Sequence, residues 1–509
     1  MRLVSLEANL QEMERGREAY WLRYPATSPL KLHWRAVAVR HCFHVLPGET
    51  VLELGAGTGL WTQHLTEVLR GENPITAAVF NDSYAKELEG KGLPNVRTER
   101  VHSLAELPMS SFDYVVGTAI LCHDLYAHNL RALQRILKPG GQILFFEANH
   151  WNPQVFIKNV IPLIGRWAGQ SRCQAPMRKY RLLKTASEQG YTNVEIVPFD
   201  IIHPRIPRVL IGALQAASYI VEHAPVIREL CGTLYIWARK PGGSENRPAI
   251  NLANRPELFG AVSVVVPCHN EEMNIPLLVR QLLQFYNSYI REIIIVDDNS
   301  SDKTAEVTLQ LAREEPRVKL VSRKPPNGVG RALRDGYAAA TGAYILTMDS
   351  DFVQILPEFR DLFEAVANGK DGAMGSRFSY ESMLINYPFA KIVANRAFHA
   401  LVNVASPVRA RDLSNNLKLY RAEILKNLVI EQPHFAANAE TGLKPLLAGY
   451  NVEEVPISWI NRSIDMGSST FQVAKVAPGY FSALLSMVWR NRRVVRTVPK
   501  RERTVKSGS

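Results

Sequence analysis

Two carboxylates spaced two residues apart, Asp349 and Asp351, follow the apolar run YILTM and precede a turn. Side chains with that spacing can share one hard divalent cation, Mg²⁺ or Mn²⁺. Such a cation bridges the two phosphates of a nucleotide diphosphate and neutralises the charge that builds on it as it leaves. A bare Asp-x-Asp recurs by chance. Its weight here comes from its place after an apolar strand, with Asp297 and Asp298 ending an earlier run, EIIIVDD. A third run, VVVP, stops at Pro267 and leads into Cys268, His269, Asn270, Glu271 and Glu272. Strand ends of an open α/β sheet are where ligands bind, so the acids at 297, 349 and 351 are expected to gather round one cation-ready pocket.

A different chemistry opens the chain. Glu53-Leu-Gly-Ala-Gly-Thr-Gly59 follows the apolar run VLEL. Gly55, Gly57 and Gly59 let the backbone turn sharply and let a ligand lie directly against it. Residue 60 is Leu, so the spacing departs from the dinucleotide fingerprint GxGxxG. Asp82 ends the next strand segment, where a carboxylate accepts hydrogen bonds from a ribose diol. His123, beside Asp124, lies just past FDYVVGTAI and offers a base for an acceptor hydroxyl or amine; packing at the pocket rim is the alternative.

These residues need elements to hold them. Helices are expected over the first fifty residues, including an amphipathic stretch from Leu30 to Val45, and a helix over Leu60–Leu69. Strands are expected at Val51–Leu54, Ile75–Phe80, Phe112–Ile120, Gln142–Glu147, Asn193–Phe199 and Thr233–Arg239. Helical material from 151 to 189 caps this unit, and its Trp151, Phe156, Trp167 and Tyr180 hint at an apolar acceptor. PGGSENRP (Pro241–Pro248) reads as a linker within 241–258. A second alternation then runs through Val262–Pro267, Glu292–Asp298, Val318–Ser322, Tyr344–Asp349 and Gly372–Ser376. Strand–helix alternation of this kind predicts α/β architecture with helices on both faces of a parallel sheet, here as two doubly wound domains, 1–240 and 259–489.

The glycine loop, the strand-end acid, FDYVVGTAILCH and LKPGGQILFFE occur in the order found in class I S-adenosylmethionine-dependent methyltransferases, and the N-terminal half resembles that family. The resemblance implies a Rossmann-like fold, S-adenosylmethionine as cofactor, and contacts to it from Glu53, Gly55, Gly57, Gly59 and Asp82. VVVPCHNEE, IIIVDDNSSDKT, GVGRALRDGYAAATGAYILTMDSD, GSRF, ARDLSNNLKLYRAEIL and EVPISWINRS make the C-terminal half similar to family 2 glycosyltransferases of the GT-A fold, and within them to the dolichyl-phosphate mannosyltransferase group. That resemblance implies an inverting transfer from a GDP- or UDP-linked sugar. Pro267, His269 and Glu271 would border the nucleotide, with Asp297 and Asp298 on the same side. Asp349 and Asp351 would engage diphosphate and metal, and Arg377 and Arg462 would hold phosphate oxygens. It places Glu440 near the acceptor, as a base or as a residue that orients a helix end. Departures bear on donor and acceptor. DSDFVQ stands where DADLQ is common, NNLK replaces SGFR, and Ser469-Thr470 lacks the usual lysine.

The 509 residues carry a net charge of +12, with 46% hydrophobic and 21% charged residues, as in soluble globular proteins. Eight basic residues against a single Glu502 fill the stretch 490–509, which reads as a disordered tail or as an attraction to an anionic membrane leaflet. No nucleic-acid motif accompanies the charge. The five cysteines are scattered without a CxxC pair, which fits reduced thiols in a cytoplasm.

Overall fold

The computed structural model of the chain describes residues 6–121, 126–161, 178–243, 247–252, 255–460 and 473–494. The chain forms two compact units, Met1–Pro248 and Ala249–Ser509, and each is built on a seven-stranded sheet.

In the first unit the strands are β1 (Val51–Leu54), β2 (Ile75–Val79), β3 (Val96–Arg100), β4 (Phe112–Thr118), β5 (Leu137–Ala148), β6 (Thr192–Phe199) and β7 (Thr233–Arg239). They lie in the order β3-β2-β1-β4-β5-β7-β6. All neighbours pair in parallel except β7, which runs antiparallel to both β5 and β6. The chain steps outward from β1 to β3 and returns on the other side of β1 as β4. That reversal opens a crevice beyond the carboxyl ends of β1 and β4, where the glycine loop begins. β3 (VRTER) is an edge strand with no fully buried residue, so no apolar run marks it in the sequence. β5 begins at Leu137, five residues before the expected strand start at Gln142, and pairs with β4 through a register shift.

Helices Leu6–Arg23 and Ser28–Phe43 precede β1. The second does not follow the apolar period expected of it, because it buries Lys31 and Arg35 beside Leu32, Ala36 and Val39. Of the expected cap, helices Pro153–Val160 and Lys179–Glu188 are described. Asn152 starts the first by accepting from the N–H groups of Gln154 and Val155 at 3.1 and 3.2 Å, with Pro153 at the first helical position. Trp151, Phe156 and Tyr180 are exposed, and Trp167 lies outside the described residues.

The second unit holds β8 (Val262–Cys268), β9 (Ile290–Asp297), β10 (Val318–Ser322), β11 (Tyr344–Thr347), β12 (Gly372–Ser376), β14 (Lys418–Arg421) and β15 (Val452–Pro456) in one sheet. A separate pair joins β13 (Met383–Ile385) to β16 (Ser458–Ile460). The large sheet runs β10-β9-β8-β11-β14-β12-β15, with β14 antiparallel to β11 and β12. Every residue of β8 is buried, as a central strand covered on both faces must be. Full burial of side chains such as Ile293, Ile294 and Ile295 in β9 contributes roughly 1.5–3 kcal/mol each. The order reverses between β8 and β11. β11 ends at Thr347, so Asp349 and Asp351 stand on the turn just outside that switch point.

Candidate active sites

Asp349 accepts a hydrogen bond from the Asn416 side-chain amide at 2.7 Å. Burial, reinforced by the negative charge of Asp351, pushes the Asp349 carboxyl up to about 7. Two carboxylates are thus held close enough to repel, an arrangement that a bound dication would reverse into attraction. Asn416 belongs to the NNLK segment that departs from the family pattern, and its contact with Asp349, 67 residues away, arises only in the fold. Lys418 of the same segment is buried and donates to the carbonyls of Leu413, Asn415 and Asn438 and to the Thr441 hydroxyl, at 2.6–3.2 Å. Burial lowers its ammonium to about 7. It ties β14 to the helix Ala437–Leu447.

The expectation that Asp297 joins the same cation is corrected. Among the described residues no group of three His, Cys, Asp or Glu side chains gathers. Asp297 ends β9, which is separated from β11 by β8. Two strand spacings amount to about 10 Å, too far for a shared cation. Its carboxylate accepts from the Ser300 N–H at 3.1 Å.

Asp298 is engaged within the unit. Its two oxygens are taken by Arg323 and by the Gly328 N–H, so it shapes the loop before helix Val329–Ala339. Gly328 is required there: a Cβ would lie 2.2 Å from the Pro433 carbonyl. The loops after β8 and β9 are laced together. Asn270 accepts from the Ser301 N–H (2.8 Å), the Glu271 N–H donates to the Thr304 hydroxyl (2.9 Å) and the Lys303 N–H donates to Glu272 (3.0 Å). His269 is exposed on this lacing, its Nδ1 3.0 Å from the Asp298 carbonyl. Pro267 is buried in β8 and Glu271 is half-buried, accepting from Asn274.

Arg377 was expected to hold phosphate. Instead Asp412 takes its Nε–H and Nη2–H, Tyr387 accepts from Nη1 at 3.1 Å and Ser414 from Nη2 at 3.1 Å. Glu440 is equally committed: one oxygen accepts from the N–H groups of Glu431 and Gln432 (3.0 and 2.8 Å), the other from Lys444 (2.7 Å). It braces the loop that packs on Gly328 and Gly330. Arg462, Ser469 and Thr470 lie outside the described residues.

In the first unit Gly55, Gly57 and Gly59 all adopt positive φ, forming the turn their spacing implies. Glu53, at the end of β1, is buried, its Oε2 has no hydrogen-bond partner, and desolvation pushes its carboxyl up to about 7. Asp82 does not face the loop. It is exposed and paired with Arg100, because the turn after β2 points its side chain outward. The carboxylate at the ends of β1 and β2 is Glu14, from helix Leu6–Arg23. It accepts from the N–H of Gly57 (3.1 Å), the N–H of Phe80 (3.1 Å) and the Asn81 amide (2.6 Å). Glu18 accepts from the Thr58 hydroxyl at 2.8 Å, and its Oε1 stands 2.2 Å from where a Cβ on Gly57 would be. Arg17 lies between them, 3.2 Å from Glu18. Three charged residues missed in the sequence therefore fill the cradle. Glu147, near the carboxyl end of β5, is also buried and accepts from the N–H groups of Ile120 and Leu121 (3.0 and 2.9 Å). His123 lies outside the described residues.

Two family models match. That of the ubiE/COQ5 methyltransferase family covers residues 29–189, and that of glycosyl transferase family 2 covers residues 263–429. Over 238 residues the chain is 27% identical to polyprenol monophosphomannose synthase of Mycolicibacterium smegmatis (44% of this chain, 85% of the relative). It is 28% identical over 201 residues to dolichol-phosphate mannosyltransferase of Pyrococcus furiosus (39% and 56%), and 28% over 254 residues to glycosyltransferase AglD of Haloferax volcanii (48% and 39%). The chain thus spans about half or less of the length of the last two. A crystal structure of glucosyl-3-phosphoglycerate synthase from Mycobacterium tuberculosis with uridine diphosphate aligns at a TM-score of 0.39 and 17% identity, covering 48% of this chain and 86% of that one.

Proposed function

The chain carries a ubiE/COQ5-type methyltransferase domain followed by a family 2 glycosyltransferase domain, and from that premise we propose a bifunctional transferase. Its second unit moves a sugar from a GDP- or UDP-linked donor to a polyprenyl phosphate or a related glycan or glycolipid acceptor. Its first unit moves a methyl group from S-adenosylmethionine. The observation that carries the reading is the Asp349–Asp351 pair, held in mutual repulsion at the β8/β11 switch point.

Asp349 and Asp351 fit a hard divalent cation, with substrate phosphates and water completing its shell. When bound, that cation supplies charge neutralisation on the departing diphosphate. Asn416 orients Asp349 for that task, and Asp297 stands where the nucleoside end of the donor reaches. A phosphate monoester, with a second pKa near ~6, is already an anionic nucleophile at pH 7 and needs no base. The commitment of both Glu440 oxygens to backbone and Lys444 favours such an acceptor over a sugar hydroxyl. Phe481 and Leu485, exposed on helix Val473–Val494 ahead of the basic stretch, suit a peripheral seat on an anionic membrane. Among the described residues no helix is long and apolar enough to cross one.

For the first unit, the glycine turn and the unpartnered Glu53 Oε2 suit a small cationic cofactor. One observation favours a second reading, a glycosyltransferase with a non-catalytic scaffold domain: Glu14, Arg17 and Glu18 occupy the cradle. Calorimetry with S-adenosylmethionine separates the two, and absence of binding selects the scaffold. The sugar-transfer reading is tested by mass spectrometry of the purified chain with Mn²⁺, a nucleotide-sugar panel and polyprenyl phosphate. A lipid-linked sugar is the expected product; a panel left intact, with neither transfer nor donor hydrolysis, would overturn it.

A further inference from the structure

Helix Ser28–Phe43 lays Arg35 over the sheet of the first unit with two of its N–H-bearing nitrogens, Nε and Nη1, lacking any acceptor, although the residue is only 4% exposed. A buried guanidinium without acceptors costs several kcal/mol, so the missing partner is informative. The remaining nitrogen, Nη2, reaches the Thr233 hydroxyl at 3.3 Å and stands 3.8 Å from Asp200. Asp200 is already engaged by Lys31 at 2.8 Å. Two cations therefore share one carboxylate. Glu147 and Glu222 do not correct the imbalance: the first accepts from the Ile120 and Leu121 N–H groups, the second from the Ile201 N–H, and burial favours the neutral form of both. The cluster lacks one negative charge.

Other unpartnered polar atoms lie around the same point. Thr118 of β4 pairs with Phe146 of β5, and Phe146 pairs with Tyr235 of β7, so the three side chains form one row on one face of the sheet. The Thr118 and Tyr235 hydroxyls have no hydrogen-bond partner, nor has the indole N–H of Trp61. The Trp61 ring is 6.0 Å from Phe146 and that of Tyr235 6.4 Å. The Arg35 guanidinium sits 5.4 Å over Phe146 and 4.8 Å over Trp21. The row begins beside the glycine loop, since Leu54 pairs with Gly117, and ends under Arg35. A core assembled only for stability satisfies such donors; here they are left open together, beside aromatic rings.

We propose that Arg35, Tyr235 and Trp61 form an acceptor subsite in the first unit, and that its ligand is a flat monoanion of the aromatic carboxylate class. A single negative charge completes the Lys31–Arg35–Asp200 balance, whereas a phosphate dianion overshoots it. The aromatic walls take a ring. Helix Leu6–Arg23 lies over both this subsite, through Trp21, and the glycine cradle, through Glu14 and Glu18. Only the word acceptor rests on the methyl-transfer reading; the anion site stands without it.

The test is calorimetric titration of the full chain with benzoate and with benzamide, its neutral isostere. Benzoate should bind at least about tenfold more tightly, a charge-assisted bond being worth that much. Arg35→Gln should erase the difference, Arg35→Lys should restore part of it, and Tyr235→Phe should weaken benzoate several-fold. Benzoate binding no better than benzamide, or a preference that survives Arg35→Gln, overturns the proposal. If Arg35→Gln does not fold, the wild-type pair and Tyr235→Phe decide alone. A parallel titration with S-adenosylmethionine keeps the two ideas apart: anion preference without cofactor binding sinks methyl transfer only, and cofactor binding without anion preference sinks the subsite only.

Discussion

Arg377 and Asp412 form a two-point ion pair inside the second unit, Nε–H donating to Oδ2 at 2.7 Å and Nη2–H to Oδ1 at 2.9 Å. Asp412 has no exposed surface and also accepts from the Arg377 backbone N–H at 3.1 Å. The guanidinium holds its carboxyl far below the ordinary carboxylate range, against the effect of burial. Asp412→Asn leaves a buried guanidinium without its counter-charge and is expected to destabilise the second unit by about 3–5 kcal/mol, seen as a lower melting transition. The contribution of the pair is complete above the unfolded carboxyl's value near 3.8 and is lost only as pH falls toward the depressed folded value.

Asp351→Asn should do the opposite. It removes a charge that repels Asp349, so the melting temperature should hold or rise at pH 8. Metal-dependent donor turnover should fall by roughly two orders of magnitude or more. A mutant that keeps its turnover while losing stability would make this pair structural.

Glu14 and Glu18 compete with any ligand for Gly57 and Thr58. A site that opens only in a minor population binds more weakly by that fraction. Glu14→Gln together with Glu18→Gln should therefore tighten S-adenosylmethionine binding by about fivefold or more, read by calorimetry. Weaker binding would mean that these carboxylates are cofactor ligands.

Glu147 gives a pH signature. Its folded carboxyl, pushed up to about 8 from 4.5 by burial, favours the protonated form. Stability linked to it is full below about pH 4.5 and declines as pH rises through 8. Glu147→Gln should melt with the wild type at pH 5 and at a higher temperature at pH 9. Identical shifts at both values would contradict the assignment.

Much was legible in the sequence because local rules produce it. Fully buried central strands such as β8 and β9 read as apolar runs, and the residues that follow them stand where a parallel sheet offers its carboxyl ends, which placed Asp297, Asp349 and the glycine loop. β3 was hidden because an edge strand needs no apolar run. The helix over Ser28–Phe43 was expected as an amphipathic stretch, but Lys31 and Arg35 are buried among its apolar residues, a choice that the partners Asp200, Trp21 and Phe146 dictate.

The partner of each charged side chain was decided only in three dimensions. Asp82 and Glu14 are both acids near one loop, yet a turn aims one at Arg100 in solvent while a distant helix carries the other onto Gly57. Arg377 and Glu440 likewise look free in sequence and are fully engaged in the fold. Strand identity and order follow from periodicity and chain direction, which a single sequence displays. The partner of a carboxylate depends on which segments pack within a few ångströms of it, and residues 66 or more positions apart meet by tertiary packing alone.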